Sequence, residues 1–578
     1  MLEEIRSLLQ QSIKSLRESG KLDHIESFIF TVDYTREKER GDVASNIALV
    51  LANAARSNPR ELAENIIQHL PFSPFIDRTE AAGPGFINFF FTREVWTRVI
   101  EEIRNSKQDY GKSKIGAGQK VLVEFVSSNP TGPLHVGHGR GAAYGDALVR
   151  VLQAAGYDAQ SEYYINDAGR QIDILALSIW IRYLELCGDS IAFPEGLYLG
   201  DYIFDIAAQL RREDGNAHYQ VSSDLFESLP GDIDEKIDTL IKNMKSILSE
   251  GSFSRIRMLG SSILVTDIKK DLTEFGVEFD RWYSEKSLID SGALDRMVGV
   301  LQGAGQLYKK DGAQWFRSTA FGDDKDRVLI RANGNYTYFA TDVAYHMDKL
   351  DRGFSKLINI WGADHHGYIA RVKAAIAALG KDPDQLAVAL VQFAVLYQGG
   401  EKIGMSTRSG AFVTLQELRH KVGRDAGRFL YVLRKPEQHM DFDLDLAVKQ
   451  SKDNPVYYVQ YAHARICSVF QQLQERDMNI NLHSADADLL TEIQELELLR
   501  SLARYPEVVA QSARNYEPHQ VAYYIKDLAT DFHAYYNAHP FIAVKGPLRL
   551  ARLLLIDATR QVLANGLKLL GVAAPERM

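Results

Sequence analysis

The chain has 578 residues, more than one hydrophobic core organises, so three or four domains are expected. Its 46% hydrophobic and 25% charged residues are an ordinary globular balance, and no stretch is apolar enough to suggest a membrane span. The formal net charge of -9 argues against indiscriminate coating of nucleic acid, with no DNA-binding role expected, yet leaves room for a local basic surface on a specific RNA.

The opening MLEEIRSLLQQSIKSL is an amphipathic helix over 2–18 with acids among its apolar positions. It fits neither a secretory leader nor an acid-poor transit peptide, so a cytoplasmic location is expected. Residues 1–110 read as a separate α/β unit: strand FIFTVDYT, helices from Ser45 to about Ala55 and over 59–69, and a last strand near FINFFF. In that strand Phe86 and Asn88 stand two apart and are expected to share a face. The only cysteines, Cys187 and Cys467, are too few and too distant for a disulfide framework or a thiolate zinc site.

A Gly/Lys-rich linker, GKSKIGAGQK, leads into a β-branched strand expected over Val121–Val126. VSSNPTGPLHVGHGRG follows, and a helix is expected from about Gly139 to Ala155. Pro130, Gly132 and Pro133 supply the turn, and Gly137 removes a side chain where a flat base could approach the backbone. His135 and His138 flank a helix N-terminus, where free amides and the macrodipole favour phosphate and where imidazoles can donate to charge developing on it. The segment reads as a nucleotide site.

The first half of a doubly wound nucleotide-binding unit is expected over 111–190, a polar, helical insertion over 191–290, and the second half over 291–453, with the ligand at the switch point of the reunited sheet. Within the second half, Tyr338 and Asp342 are four apart on one helix face, pairing an acceptor with an aromatic ring. Glu124 and Asn129 bracket the turn before HVGH. WGADHHGY follows a strand, and its Gly362, Asp364 and His365 suit a close backbone approach and an acid that receives ribose hydroxyls of ATP. A metal is the weaker reading of the DHH run, because no further cluster has zinc-protease spacing; no metal ligands are expected. From Asn454 to 578 every long segment has helical period, giving an α-bundle in which Tyr457, Tyr461, His463 and Arg465 offer rings and cations to unpaired bases.

The HVGH tetrad resembles the His-Ile-Gly-His signature of class I aminoacyl-tRNA synthetases. SSNPTGPLHVGHGRG, with AAGPGFINFFF, GDDKDRVLIRANGNYTYFATDVAYH, DFDLDLAVKQSKDNPVYYVQYAHARI and the closing LLGVAAPERM, resembles the arginyl enzymes. The resemblance implies an N-terminal domain that grips the tRNA elbow, where Phe86 and Asn88 would hold a splayed base, a split Rossmann-like core, and a helical anticodon-binding domain. It implies that Glu124, Asn129, Tyr338 and Asp342 surround L-arginine and that His135 and His138 serve catalysis. It also implies tRNA-Arg and ATP as partners, magnesium arriving with the nucleotide, activation that requires bound tRNA, and a monomer.

The second family signature, a Lys-Met-Ser-Lys-Ser type loop, departs from pattern. EKIGMSTRSG keeps Met405 and Ser406, which would touch ATP, but Gly404 and Thr407 occupy the lysine positions. Losing a charge that meets a developing oxyanion costs ~3 kcal/mol, so Lys402 and Arg408 are expected to meet the phosphates instead. Two alternatives stay open: another enzyme built on HVGH, or a tRNA-binding regulator that has lost the activation chemistry.

Overall fold

The computed structural model describes residues 1–22, 28–35, 40–220, 225–226, 229–403, 413–478 and 480–578. At the N-terminus α1 (Leu2–Glu18) buries Leu2, Ile5, Leu9, Ile13 and Leu16, one stripe at helical spacing. It packs with α2 (Ile47–Leu51) and α3 (Pro59–Gln68) against an antiparallel sheet of order β1-β2-β4-β3, with β1 Val32–Tyr34, β2 Val43–Ser45, β3 Ile76–Ala82 and β4 Phe86–Phe91. The expected first strand shrinks to three residues and the second helix to five. α4 (Arg93–Ser106) carries the unit onto the C-terminal bundle, where the Tyr110 hydroxyl donates to the Leu502 carbonyl at 3.0 Å.

The catalytic sheet is wholly parallel, with order β12-β11-β5-β6-β7: β5 Lys120–Glu124, β6 Asp158–Ile165, β7 Arg281–Ser284, β11 Lys356–Gly362 and β12 Leu386–Val391. Order reverses at β5, so the crevice opens between the carboxyl ends of β5 and β11. β5 stops at Glu124, short of the expected Val126, because Val126 (φ 67°) and Ser127 (φ 42°) are left-handed, a conformation a β-branched residue adopts only under constraint. α5 (Val136–Ala154) begins three residues earlier than expected because His135 itself caps it, its ring accepting from the Gly137 N–H at 3.1 Å.

The insertion also differs from expectation. α6 (Arg170–Leu186) turns Ile174, Leu177, Trp180, Ile181 and Leu184 into a core shared with α7 (Asp201–Asp214), α8 (Ile233–Ile247) and α9 (Glu250–Glu274). The helical module therefore starts near residue 170, not 191, and the chain re-enters the sheet at β7 before residue 290.

After α10 (Glu285–Asp290) and α11 (Ala293–Gly303) comes an antiparallel sheet, β10-β9-β8, built from β8 Leu307–Lys310, β9 Ala313–Phe316 and β10 Arg327–Ile330. α12 (Tyr338–Asp351) and α13 (Ile369–Ala378) flank the resumed parallel sheet. A fourth sheet, β14-β13-β15 (β13 Ala394–Gln398, β14 Glu401–Lys402, β15 Met440–Asp443), brackets the signature-loop segment in sequence, with α14 (Leu415–Val422), α15 (Arg424–Val432) and α16 (Leu444–Val448) on its far side. The bundle is α17 (Pro455–Glu475), α18 (Ile493–Asn515), α19 (His519–Ala538) and α20 (Pro547–Leu569). Arg428 on α15 ties the parts together: fully buried, it donates to the Leu570, Phe275 and Gly276 carbonyls and pairs with Asp146 on α5. No helix of the described residues is long and apolar enough to cross a membrane.

Candidate active site

A cleft of about 530 Å3 opens at the switch point, lined by the β5–α5 loop, the start of α5, the end of β11 and the β12–β13 turn. His135 and His138 both line it, with ring centroids 3.7 Å apart and nearly parallel. Each Nδ1 is an acceptor: Gly137 N–H donates to His135 at 3.1 Å, and His135 N–H to His138 at 3.2 Å. The ring protons therefore sit on Nε2. Burial lowers the pKa of both rings, that of His138 to about 3 with the neighbouring His135 adding to the effect. The pair is neutral near pH 7, two oriented dipolar donors and not two cations.

A side chain at Gly137 would press its first carbon within 2.9 Å of the His135 ring, so glycine there preserves the imidazole's seat. Beside it stands Phe393, 53% exposed inside the cleft, a ring the sequence reading missed. Its turn is anchored from α5, where Arg140 donates to the Gln392 carbonyl at 2.8 Å. Gly362, Asp364 and His365 reach the same cleft, and both of those side chains are open to solvent.

Behind the β5 end lies a cluster of carboxylates. Asp342 on α12 accepts from the Tyr368 hydroxyl, and burial raises its pKa to about 6. Glu285, the first residue of α10, is raised to about 7 by burial, by Asp342 and by Asp167. The Asn166 amide, oriented as a donor, reaches it at 2.5 Å and lies 3.1 Å from Asn129. Glu285 had no local sequence signal, since α10 arrives through the crossover from β7. Glu124 is occupied differently from expectation. Its carboxylate pairs with the fully buried Lys349 and accepts from Ser127 at 3.0 Å. Lys349 also reaches Asn359 at 3.1 Å, which donates to His346 at 2.8 Å, whose other nitrogen donates to the Asp342 carbonyl at 2.8 Å. Among the described residues neither Asp342 nor Glu285 forms an ion pair, although Lys349 and Arg371 act on Asp342 from nearby, while Glu124 is paired with Lys349. Tyr338 is 52% exposed at the head of α12.

Lys402 is exposed on β14, paired with Tyr397. Gly404, Met405, Ser406, Thr407 and Arg408 lie outside the described residues. Just after them the chain is fastened to the tetrad: Val136 N–H donates to the Val413 carbonyl at 3.1 Å, and Leu415 N–H to that of Leu134 at 2.8 Å.

Farther away, Phe86 is 40% exposed but Asn88 is 4% exposed on the central strand β4, so the two share no open face. On the bundle, Tyr457 and Tyr461 stack at 5.8 Å, His533 continues the stack, and Arg465 sits 5.6 Å over Tyr461. His463 does not join them; it is buried against the Pro575 carbonyl at 2.8 Å. Among the described residues no group of three or more His, Cys, Asp or Glu is placed to hold a metal.

Residues 99–435 match the family model described as tRNA synthetases class I (R), catalytic domain, so sheet, tetrad and cleft define a class I aminoacyl-tRNA synthetase. Residues 3–91 match the arginyl tRNA synthetase N terminal domain, and 459–578 the DALR anticodon binding domain. Arginine–tRNA ligases of Thioalkalivibrio sulfidiphilus and Halorhodospira halophila are each 53% identical, with 100% of both chains covered. A putative arginyl-tRNA synthetase structure from Campylobacter jejuni is 32% identical at TM-score 0.72, covering 84% of this chain and 100% of that one. The Thermus thermophilus arginyl-tRNA synthetase, 22% identical with 99% and 100% covered, shares the fold at TM-score 0.76. The chain belongs to the arginyl-tRNA synthetases and is an arginine–tRNA ligase, which uses ATP to join arginine to tRNA-Arg.

Proposed function

We propose how this site divides the reaction. Arginine lies with its guanidinium toward Asp342 and Glu285, Tyr338 covering it, since a planar cation is best held by more than one acceptor. Glu124, already neutralised by Lys349, and Asn129 orient the α-amino and carboxylate end. ATP rests its adenine between Gly137 and Phe393, with its ribose at Gly362, Asp364 and His365. The arginine carboxylate attacks the α-phosphorus, the bond to the β-phosphate breaks, and pyrophosphate leaves. Nε2–H of His135 and His138 donates to the charge that builds on phosphate oxygens, so stabilisation comes from oriented dipoles rather than proton transfer. Magnesium enters with the nucleotide and supplies further charge there. Lys402 and Arg408, beside Met405 and Ser406, stand in for the lysines missing at Gly404 and Thr407. In the second step the tRNA 3′ ribose hydroxyl, the 2′-OH by family habit, attacks the arginyl carbonyl and AMP leaves.

Phe86 meets the tRNA elbow without help from Asn88, while Tyr457, Tyr461 and Arg465 stack on anticodon bases. The first step requires bound tRNA, and the enzyme works as a cytoplasmic monomer. The observation that carries the reading is the pair of acids without an ion-pair partner among the described residues, Asp342 and Glu285, beside a cleft headed by two neutral histidines. Pyrophosphate exchange into ATP tests it. Exchange should appear with arginine and tRNA-Arg together and vanish with either alone; tight tRNA binding without exchange would mark a regulator.

A further inference from the structure

The outer face of the sheet β10-β9-β8 has no part in the site above. Strand alternation directs Leu307 and Phe316 inward, where Phe316 packs with Leu329 and Phe339, and places Tyr308, Lys310 and Trp315 on the opposite side. Tyr308 and Trp315 are registered partners with rings 6.3 Å apart at 23°. Lys310 stands 5.7 Å over the Trp315 ring and Arg317 4.7 Å over that of Tyr308. The polar edge of each ring is tied down, the Tyr308 hydroxyl to Asp326 at 3.0 Å and the indole N–H to the Lys310 carbonyl at 3.3 Å. Lys309, Lys310, Arg317 and Lys325 are all exposed. Of the nearby acids, Asp323 and Asp324 pair with Arg327 and Asp326 is bonded to Tyr308, leaving Asp311 as the exposed counter-charge.

The sheet adjoins the arginine site. Val328, registered with Trp315, accepts from the Thr337 hydroxyl at 2.9 Å, and Thr337 caps α12 immediately before Tyr338. Two strand spacings put Trp315 about 10 Å from the Tyr338 backbone.

We propose that this face is a stacking platform for the single-stranded 3′ end of the tRNA. Paired rings accept bases of any identity, and the flanking cations meet the backbone phosphates that a net-negative chain must attract locally. The inference rests on the placement of arginine at Tyr338 and Asp342, which fixes where that end must arrive.

The test compares intact tRNA-Arg with tRNA-Arg trimmed of its single-stranded 3′ nucleotides, at one ionic strength, on the full-length enzyme. Trp315→Ala with Tyr308→Ala should weaken intact tRNA on the order of tenfold and leave trimmed tRNA unchanged, while the Phe replacements keep most of the affinity. Should the alanine variant fail to fold, Lys310→Glu with Arg317→Glu changes only exposed side chains and should show the same selective loss. Equal loss for both tRNAs, or none for intact tRNA, overturns the platform. Arginine-dependent pyrophosphate exchange at saturating tRNA separately reports whether the arginine-site reading stands.

Discussion

The tetrad in the cleft and the carboxylate cluster behind it are prepared by one physical cause with opposite consequences. At the tetrad, burial lowers the pKa of His138 to about 3 and leaves it uncharged; at the carboxylate cluster, burial raises the pKa of Asp342 to about 6 and that of Glu285 to about 7. Desolvation pushes every group toward neutrality. The histidines are neutral near pH 7, which suits the proposed role of donors to charge carried by the nucleotide. On the proposed placement, an arriving guanidinium displaces the protons these acids still hold near pH 7, about a tenth at Asp342 and about half at Glu285. On the placement proposed above, arginine is recognised by the charge it restores to these acids as well as by shape.

The sharpest way to break this comparison is Asp342→Asn, which keeps size and removes the ionisable group. An uncompensated guanidinium should cost about 4 kcal/mol, roughly a thousandfold in kcat/KM for arginine with KM for ATP little changed, measured by pyrophosphate exchange. Next comes Lys349→Met, which leaves Glu124 buried without its cation and should lower stability by about 3–5 kcal/mol in urea unfolding. Adding Glu124→Gln should recover much of that stability without recovering arginine activation, because Glu124 is proposed to orient the α-amino end. At the other end, His138→Ala should lower kcat by about 3 kcal/mol, a hundredfold or more. His138→Gln, whose amide nitrogen falls near the lost Nε2, should retain more activity than His138→Asn.

The smallest effect is in pH. Asp342 and Glu285 have folded pKa values above their unfolded ones, so in the empty enzyme their contribution to stability is present below about pH 4 and lost as pH rises through 6 to 7. His138 runs the other way: its contribution is present above about 6.5 and lost as pH falls toward 3. The two offset each other between roughly pH 4 and 6.5. Arginine binding changes only the acids. The melting-point rise given by saturating arginine should therefore be larger at pH 8 than at pH 6, and kcat/KM for arginine should fall below pH 7 with no separate limb from the tetrad.

The tetrad was legible in the sequence because its parts are local: strand, turn glycines and both histidines fall within twenty residues, and chain geometry alone brings them to a helix start. Glu285 was not legible, because it follows the tetrad by some 150 residues and reaches the site only through the β7 crossover. Glu124 was singled out for arginine, but its observed partner was not; nothing local says that Lys349 will be buried beneath it. The insertion boundary failed for a related reason. Periodicity says that α6 is buried on nearly every side, but not whether a sheet or other helices do the burying. Asn88 shows the same limit on a strand, where alternation assigns a face without saying that it is covered.

The most direct measurement is calorimetry of arginine binding in buffers of differing ionisation enthalpy, which counts protons released on binding. Near pH 6.5 arginine binding should release about one proton, most of it from Glu285, falling toward zero at pH 8.5 and sharply reduced at pH 6.5 in Glu285→Gln. Binding with no proton release at pH 6.5, or release unchanged in that variant, would contradict it.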